Sequence, residues 1–375
     1  MAIDITALRE AFPVTREWIY LNHASVAPIS IHVQRAMQTQ LRDVAHNGMV
    51  NSDRWEQTYA RTRRIAAKLI GARPSEIAFV KNTTEGIHHL ANGLRWKKND
   101  NVIIPDRGFP ANVYPWLNLS SRGVETRMVP EEDGRIDPEQ IFAQTDKHTR
   151  VISISSVEFA SGFRHDLTKI GDFCKENNIL FFVDAIQSLG ALNLNIEQCN
   201  IDVLSADAHK WMLGPEGAGI FYCARKIMRH LKVTNLGWAS VINPGDYLNY
   251  DITPLPNARR FESGTLNTVG IYGVKASLDL IARLDISNIE ARILMLADQL
   301  ATGLKEKGYH IISSRKPNEK SGIVTFQHSD LAAEAIFEQL KDHKIIGAIR
   351  GGSVRLSPHV YNTEDEIDHV PNVLP

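Results

Sequence analysis

The chain has 375 residues, of which 43% are hydrophobic and 23% are charged, and its formal net charge is −1. These values are typical of a globular protein with a large core, and they predict binding to neither nucleic acid nor an anionic membrane. No apolar run approaches the roughly 18 residues that a membrane-spanning helix needs, and Met1–Glu10 lacks the apolar core of a secretion signal. The three cysteines are scattered without CxxC spacing, which argues against disulfides or a metal site and predicts a cytoplasmic protein.

Short apolar segments alternate with helical patterns through the first 270 residues. Several of these segments lack polar alternation, which is typical of strands buried on both faces. The predicted strands are Glu76–Val80, Asn101–Ile104, Glu125–Val129, Arg150–Ile154, Leu180–Val183, Ile201–Ser205 and Ala218–Tyr222. Helical periodicity separates many of them, as in Thr84–Leu94 and Leu167–Asn177. This order predicts an α/β fold with a mostly parallel seven-stranded sheet flanked by helices.

The pattern changes after about Gly270. Long helices are predicted at Ile271–Arg283 and Ile286–Lys307, and a shorter helix at Leu331–His343. Short strands are predicted near Tyr309–Ser313, Ser321–Gln327, Ile345–Ile349 and Ser353–Leu356. We therefore predict a large domain (residues 16–270), a smaller C-terminal α+β domain (271–375), and an N-terminal segment (1–15) that packs with the small domain. The irregular stretch Asn235–Arg260 is predicted to be a functional loop.

Chemically useful side chains follow three of the predicted strands. One apolar strand ends at Asp184, and Gln187 comes three residues later. The next strand along the chain is followed by Lys210, and Thr83 and Thr84 lie between an earlier strand and a helix. Ligands of α/β sheets bind beyond the carboxyl ends of the strands, and a helix start offers free N–H groups to a phosphate. We therefore expect these residues to share one ligand site.

The combination is what pyridoxal 5'-phosphate (PLP) requires. The cofactor needs a lysine amine for its aldehyde, a carboxylate that keeps the pyridine nitrogen protonated, and N–H or hydroxyl donors for its phosphate. Each residue alone has a simpler interpretation: Asp184 as a turn or cap, Thr83 and Thr84 as an ordinary helix start, and Lys210 as solvated surface. Together, in this order and at strand ends, they predict a PLP enzyme with a Schiff base on Lys210.

The Asp-Ala-Ile-Gln-Ser segment at 184–188 and the His-Lys-Trp segment at 209–211 resemble the class V aminotransferase family of fold-type I PLP enzymes. The resemblance extends from Tyr20 to Glu364. The family includes cysteine desulfurases, isopenicillin N epimerase-like proteins, kynureninase and serine–pyruvate type aminotransferases. The resemblance implies the fold-type I architecture and a small α-amino acid as substrate.

The resemblance also implies a role for each cofactor residue. Lys210 would form the aldimine with PLP and move the substrate α-proton. Asp184 would pair with the pyridinium nitrogen, and Gln187 would hydrogen-bond the ring hydroxyl. Thr83 and Thr84 would bind the phosphate from the helix start.

Three further cofactor residues follow from the same resemblance. His209 would lie near the phosphate, and Phe109 takes the place of the stacking histidine of desulfurases, where it can stack but cannot act as an acid or base. Thr265 belongs to a glycine–threonine loop that would reach the phosphate of the neighbouring subunit in a homodimer. Core packing for Phe109 and a simple glycine turn before Thr265 are the alternatives.

The substrate residues are Arg355, His23 and Asn22. Arg355 matches the family arginine that grips the substrate α-carboxylate, for which a planar guanidinium is well suited. His23 and Asn22, in the N-terminal motif, are expected at the substrate pocket. The alternatives are a salt bridge at a strand end for Arg355 and a structural hydrogen bond for His23.

Two residues depart from the family pattern. Asp207 stands where many relatives have a phosphate-binding serine, and an ionised carboxylate repels phosphate. We therefore expect Asp207 either to face elsewhere, for example toward His209, or to bind phosphate only through water. Glu158 stands near a position that is often Asn or Gln and that contacts the ring hydroxyl. The roles of both residues are left open by the sequence.

A catalytic cysteine is absent from both places where desulfurases carry one. These places correspond here to Pro358–Val360 and Arg350–Ser353, and neither contains cysteine. Cys174, Cys199 and Cys223 lie elsewhere and are interpreted as structural. Persulfide formation on the enzyme needs a thiolate nucleophile, so this reaction is disfavoured.

The first hypothesis is an aminotransferase, because transamination requires only Lys210, the electron sink and a carboxylate grip. A cysteine or cystine C–S lyase and an amino-acid epimerase need the same carbanion and stay open. A non-catalytic binding module of the same fold is the alternative of another class, and loss of Lys210 or Asp184 would have indicated it. A nucleotide-binding protein would need a glycine-rich loop such as GxGxxG, which the chain lacks. PLP is the expected cofactor, and no metal is expected.

Overall fold

The computed structural model describes residues 3–375, which fold into a large sheet and a small sheet covered by helices. The strands are β1 (Ile19–Tyr20), β2 (Ile77–Val80), β3 (Asn101–Pro105), β4 (Glu125–Val129), β5 (Thr149–Ser155), β6 (Leu180–Asp184), β7 (Val203–Asp207), β8 (Gly219–Cys223), β9 (His310–Ile311), β10 (Val324–Gln327), β11 (Ile345–Ile346), β12 (Ala348–Arg350) and β13 (Ser353–Leu356). The helices are α1 (Ile5–Glu10), α2 (Ile31–Asn47), α3 (Ser52–Ile70), α4 (Thr83–Gly93), α5 (Tyr114–Leu117), α6 (Pro138–Ala143), α7 (Leu167–Glu176), α8 (Arg225–Met228), α9 (Thr268–Leu284), α10 (Ile286–Glu306), α11 (Ala333–Asp342) and α12 (Glu364–Val373).

The large sheet has seven strands in the order β2-β8-β7-β6-β5-β3-β4. The strands from β7 to β4 are parallel, whereas β8 runs antiparallel to both β7 and β2. The side chains of β3, β7 and β8 are buried on both faces of the sheet, which explains their apolar runs without polar alternation. The predicted α/β fold with a mostly parallel seven-stranded sheet is confirmed.

The carboxyl ends of three neighbouring parallel strands are aligned. Ser155 at the end of β5 pairs with Asp184 at the end of β6, and Asp184 pairs with Ser205 near the end of β7. Polar groups from three separate segments of the chain therefore meet at one edge of the sheet.

The small sheet has the order β12-β13-β10-β9 and is antiparallel. Its central strand β13 carries Arg355, which pairs with Thr325 on one side and Ala348 on the other. The division into domains stays a prediction, and the predicted boundary at residue 270 falls inside α9, which packs against α2 and α3. In the N-terminal segment, Arg9 donates to the carbonyl oxygen of Tyr361.

The seven strands predicted for the large sheet are all present, with ends that differ by no more than two residues. The single strand predicted at Ile345–Ile349 is wrong. The chain forms two short strands there, because β11 pairs with β1 while β12 pairs with β13. Within residues 3–375, no helix combines the length and the apolar content needed to cross a membrane.

Candidate active site

A cavity of about 330 Å³ lies at the carboxyl ends of β6 and β7. It collects side chains from these strand ends, from the start of α4, from the loop after β3 and from β13. Eight of the residues predicted from the sequence line it: Thr83, Thr84, Phe109, Asp184, Gln187, His209, Lys210 and Arg355.

Lys210 follows β7 by three residues and is 7% exposed. Its Nζ lies 5.4 Å from the centre of the Phe109 ring. Burial lowers the pKa of Lys210 to about 8, against the opposing attraction of Asp184, and the positive charge of Arg355 lowers it further. The amine is thus neutral in part of the molecules at physiological pH, as a nucleophile or proton acceptor must be.

Asp184 ends β6 and is buried. Its Oδ1 accepts a hydrogen bond from the backbone N–H of Ile186 at 2.9 Å, and its Oδ2 accepts one from Nδ2 of Asn112 at 2.7 Å. Burial raises the pKa of Asp184 to about 6, whereas these two hydrogen bonds and the nearby Lys210 act in the opposite direction. A cation brought against this carboxylate would stabilise its ionised form.

Asn112 is a site residue that the sequence interpretation missed. Besides Asp184, its Nδ2 contacts Oγ of Ser155 at 3.2 Å, and its Oδ1 is buried without a hydrogen-bond partner in the described chain. The indication available from the sequence was its position, because Asn112 is an amide only three residues after Phe109. Asn112 fixes the orientation of the Asp184 carboxylate, because the two oxygens of Asp184 accept from two different donors.

The start of α4 is attached to the end of β7. Thr83 accepts a hydrogen bond at Oγ1 from the backbone N–H of Asp207 at 3.1 Å, and Ser205 Oγ donates to the Thr83 carbonyl at 3.2 Å. Asn82 caps the helix by accepting from the N–H of Glu85. The free N–H groups of this first turn belong to the structural element that proteins use to bind anions.

Asp207 lines the cavity as well, and its side chain lies beside that of His209. Its Oδ2 lies 3.1 Å from Nδ1 of His209, and its Oδ1 accepts from the backbone N–H of Ala208 at 2.8 Å. Gln187 also has partners, since its Nε2 donates to the carbonyl of Ala24 at 3.0 Å and its Oε1 accepts from Nε1 of Trp211 at 2.8 Å.

Two guanidinium groups border the cavity. Arg355 is 1% exposed and donates to Phe159 O at 2.5 Å and to Ser25 Oγ at 2.6 Å, while Arg350 donates to the same Ser25 Oγ at 3.1 Å. Burial, and secondly the charge of Arg350, lowers the pKa of Arg355 to about 9. The Nε of Arg355 is buried without a partner in the described chain. An anion is therefore the ligand that would complete this part of the cavity.

Three predicted site residues do not line this cavity. His23 is fully buried behind it, bonded to the Ser357 carbonyl at 2.8 Å and to the Tyr361 hydroxyl at 2.7 Å. Asn22 pairs with Ser357 through the backbone. His23 and the half-buried Asn22 therefore lie outside the cavity lining, and their roles at the substrate stay predictions. Thr265 is exposed on a separate cleft.

Glu158 and the cysteines also lie outside the cavity lining. Glu158 is buried and bonds His165 Nε2 at 2.9 Å. Cys174 and Cys223 are buried, Cys199 is half-buried, and burial raises the pKa of all three thiols. In the described part of the chain, no group of three or more His, Cys, Asp or Glu side chains could hold a metal ion.

Comparisons with known proteins match nearly the whole chain. A family model described as Aminotransferase class-V matches residues 19–370. A probable cysteine desulfurase of Methanothermobacter thermautotrophicus is 30% identical over 98% of this chain and 96% of its own length. An uncharacterized aminotransferase of Bacillus subtilis is 27% identical over 96% of this chain and 95% of its own length. A solved structure of a C-DES lysine mutant, with glycine covalently linked to its PLP cofactor, has the same fold at a TM-score of 0.91, with 22% identity over 97% of this chain and 98% of that one.

The residues of the cavity fit PLP. A buried lysine amine suits the aldehyde, a buried carboxylate suits the protonated ring nitrogen, and the start of α4 suits the phosphate. Two guanidiniums without carboxylate partners suit the carboxylate of an amino acid. Family match, fold and donor set agree, and the chain belongs to the class V aminotransferase family of PLP-dependent enzymes.

Proposed function

We propose that this enzyme is an aminotransferase that acts on an α-amino acid, with Lys210 as the group that moves the substrate α-proton. The observation that carries the proposal is the state of the Lys210 amine, which is buried in the same cavity as Asp184 and Arg355 and has a pKa lowered by burial to about 8. PLP, when bound, accepts the electrons of the bond broken at the substrate Cα. Transamination needs no further acid or base than Lys210.

The cofactor contacts follow from the same cavity. We assign Lys210 to the aldehyde, Asp184 to the ring nitrogen, Gln187 to the ring hydroxyl, and Thr83 and Thr84 to the phosphate. Support for Asp184 comes from Asn112 and the backbone of Ile186, which hold its two oxygens in place.

The remaining assignments concern the ring face and the substrate. We assign His209 to the neighbourhood of the phosphate and Phe109 to the ring face, since Phe109 lies over the Lys210 amine and meets Phe159 edge to face. We assign Arg355 to the substrate α-carboxylate. Its contacts with Ser25 and Phe159 fix the guanidinium, so that little side-chain entropy is lost when the carboxylate binds.

A cysteine C–S lyase is the second candidate. The relative with 30% identity is named a probable cysteine desulfurase. A desulfurase that forms a persulfide needs a thiol beside the substrate, and no cysteine lines this cavity. Elimination without an enzyme thiol, and epimerisation, would both use Lys210 in the same way. A non-catalytic module is disfavoured, because Lys210 and Asp184 are both retained in the cavity.

We also propose a homodimer in which Thr265 reaches the phosphate bound by the neighbouring subunit. Thr265 is exposed and does not line the cavity of its own chain. The loop before it exposes large apolar side chains that a second copy would cover, namely Tyr247, Leu248, Tyr250 and Ile252. Light scattering tests the dimer, and Thr265→Ala should weaken PLP binding without changing the mass of the assembly.

Two measurements test the proposed function. The purified protein should show the visible absorbance of lysine-bound PLP, which Lys210→Ala should abolish and Lys232→Ala, at an exposed lysine outside the cavity, should retain. A panel of amino acids with 2-oxo acid acceptors, scored for keto acid, sulfide and change of enantiomer, then identifies the reaction. Absence of the cofactor spectrum, or a spectrum unchanged by Lys210→Ala, would refute the proposal, and sulfide without keto-acid exchange would favour the lyase.

A further inference from the structure

A second and larger cleft adjoins the active-site cavity. It has a volume of about 770 Å³, compared with about 330 Å³ for the cavity around Lys210. Phe159 and Arg350 line both, so that the two spaces adjoin at these residues. A substrate whose carboxylate lies on Arg355 would pass Phe159 and Arg350 to extend its side chain into the cleft. The cleft is far larger than the side chain of alanine would fill.

The wall of the cleft carries charges of both signs. Arg107 belongs to the same loop as Phe109, and Glu131 and Asp133 follow β4. Glu131 is half-buried and accepts a hydrogen bond from Ser161 Oγ at 3.3 Å. Burial and the nearby Glu158 raise the pKa of Glu131, whereas the hydrogen bond from Ser161 and the positive charge of Arg107 partly oppose this increase.

These charges do not neutralise each other by direct contact. Among residues 3–375, the ion pairs include neither Arg107 nor Glu131 nor Asp133, although other loops nearby form such pairs, for example between Arg135 and Glu319. A purely apolar ligand end would remove water from these charged groups and would offer no hydrogen bonds in place of those that the water made. An end with a single charge would meet one group of like sign.

We propose that the cleft binds a second amino-acid head group at the far end of the substrate, with its carboxylate on Arg107 and its ammonium group on Glu131 and Asp133. The substrate class is then an α-amino acid joined through its side chain to another amino acid, for example by a thioether. This inference rests on the proposed function, because it requires the first head group to bind at Lys210 and Arg355.

The test compares two ligands that differ only beyond the sulfur. L-Cystathionine carries the second head group, and S-methyl-L-cysteine lacks it. Binding of each is measured by calorimetry to the PLP-loaded Lys210→Ala variant, in which turnover is blocked. We expect L-cystathionine to bind at least about tenfold more tightly, since a charge-assisted contact at the far end is worth roughly that factor.

Variants locate the effect in the cleft. Arg107→Gln and Glu131→Gln, each made in the Lys210→Ala background, should reduce the preference to within about threefold while the affinity for S-methyl-L-cysteine stays unchanged. Arg283→Gln, at an exposed arginine on α9 outside both spaces, should change neither affinity. Equal binding of the two ligands, or a loss of affinity that is the same for both in the variants, would overturn the inference while leaving the proposed function intact. If neither ligand nor L-alanine binds, the proposed function fails and the inference with it.

Discussion

The position of the first turn of α4 depends on Gly86. A Cβ atom added at Gly86 would lie 2.2 Å from Oγ and 2.6 Å from Cβ of Ser205, and 3.0 Å from Cδ2 of Phe221. Ser205 lies within β7, paired on both sides, and its hydroxyl also holds the Thr83 carbonyl. Neither neighbour can move without disturbing the sheet, so in Gly86→Ala the helix must shift.

The expected cost follows from two opposing terms. Overpacking a core costs about 1–3 kcal/mol, and contacts as short as these predict the upper part of that range. Alanine in a helix is more favourable than glycine by about 1 kcal/mol. We therefore expect Gly86→Ala to destabilise the protein by about 2 kcal/mol, and to weaken PLP binding because the shift separates Thr83 and Thr84 from β7.

Thermal unfolding and PLP titration measure the two effects. The Tm should fall by several degrees, roughly 2–6 °C. Gly245→Ala is the matched control, because no atom lies within 4 Å of the position of its Cβ. Ser205→Gly removes the two closest atoms and should recover part of the loss in the double variant, beyond the sum of the single changes. A Gly86→Ala protein with the wild-type Tm and PLP affinity, or a double variant without recovery, would refute the reasoning.

Three further predictions concern the charged groups of the cavity. Burial raises the pKa of Asp184 from 3.8 to about 6, so its contribution to apoprotein stability is full below about pH 4 and is lost as the pH rises through 6. The free energy of unfolding of the Asp184→Asn apoprotein, measured with denaturant and taken relative to the wild type, should accordingly be up to about 3 kcal/mol more favourable to the variant at pH 7 than at pH 4. A relative free energy that does not change with pH would contradict this. PLP capture by the apoprotein should accelerate as the pH rises through about 8, because only the neutral Lys210 amine attacks the aldehyde, and a flat rate profile between pH 7 and pH 9 in stopped-flow absorbance would count against it. Arg355→Lys should raise KM roughly ten- to a hundredfold with little change in kcat, since lysine cannot reproduce a two-point carboxylate contact; Arg283→Lys is the control, and a fall in kcat alone would oppose the assignment.

The fold and half of the site could be predicted because their signals are local. Asp184 and Lys210 directly follow apolar strands, and the carboxyl ends of parallel strands meet at one edge of a sheet. The strand pattern therefore indicated which side chains would converge before any contact was known.

Contacts between distant segments could not be predicted in this way. Asn112 and Asp184 are 72 residues apart in the chain, and Ser25 and Arg355 are 330 residues apart. Neither pair leaves a periodic pattern, since each depends on how a loop passes over the sheet edge. The hydrogen-bond partners of His23 could not be predicted for the same reason. Ser357 and Tyr361 become its neighbours only when β1 lies beside the small sheet.

The cavity brings together charged groups whose burial opposes their ionisation. Burial lowers the pKa of Lys210 and Arg355 and raises that of Asp184, so in each case it disfavours the charged form. Asn112 and Ser25 only partly compensate, because they supply neutral dipoles and no counter-charge. A protonated ring nitrogen on Asp184 and a carboxylate on Arg355 would supply the missing charges. A ligand that binds the folded chain but not the unfolded chain stabilises the fold in proportion to the logarithm of its concentration over Kd. The buried charges that disfavour the apoprotein therefore make the stability of the protein depend on cofactor and substrate.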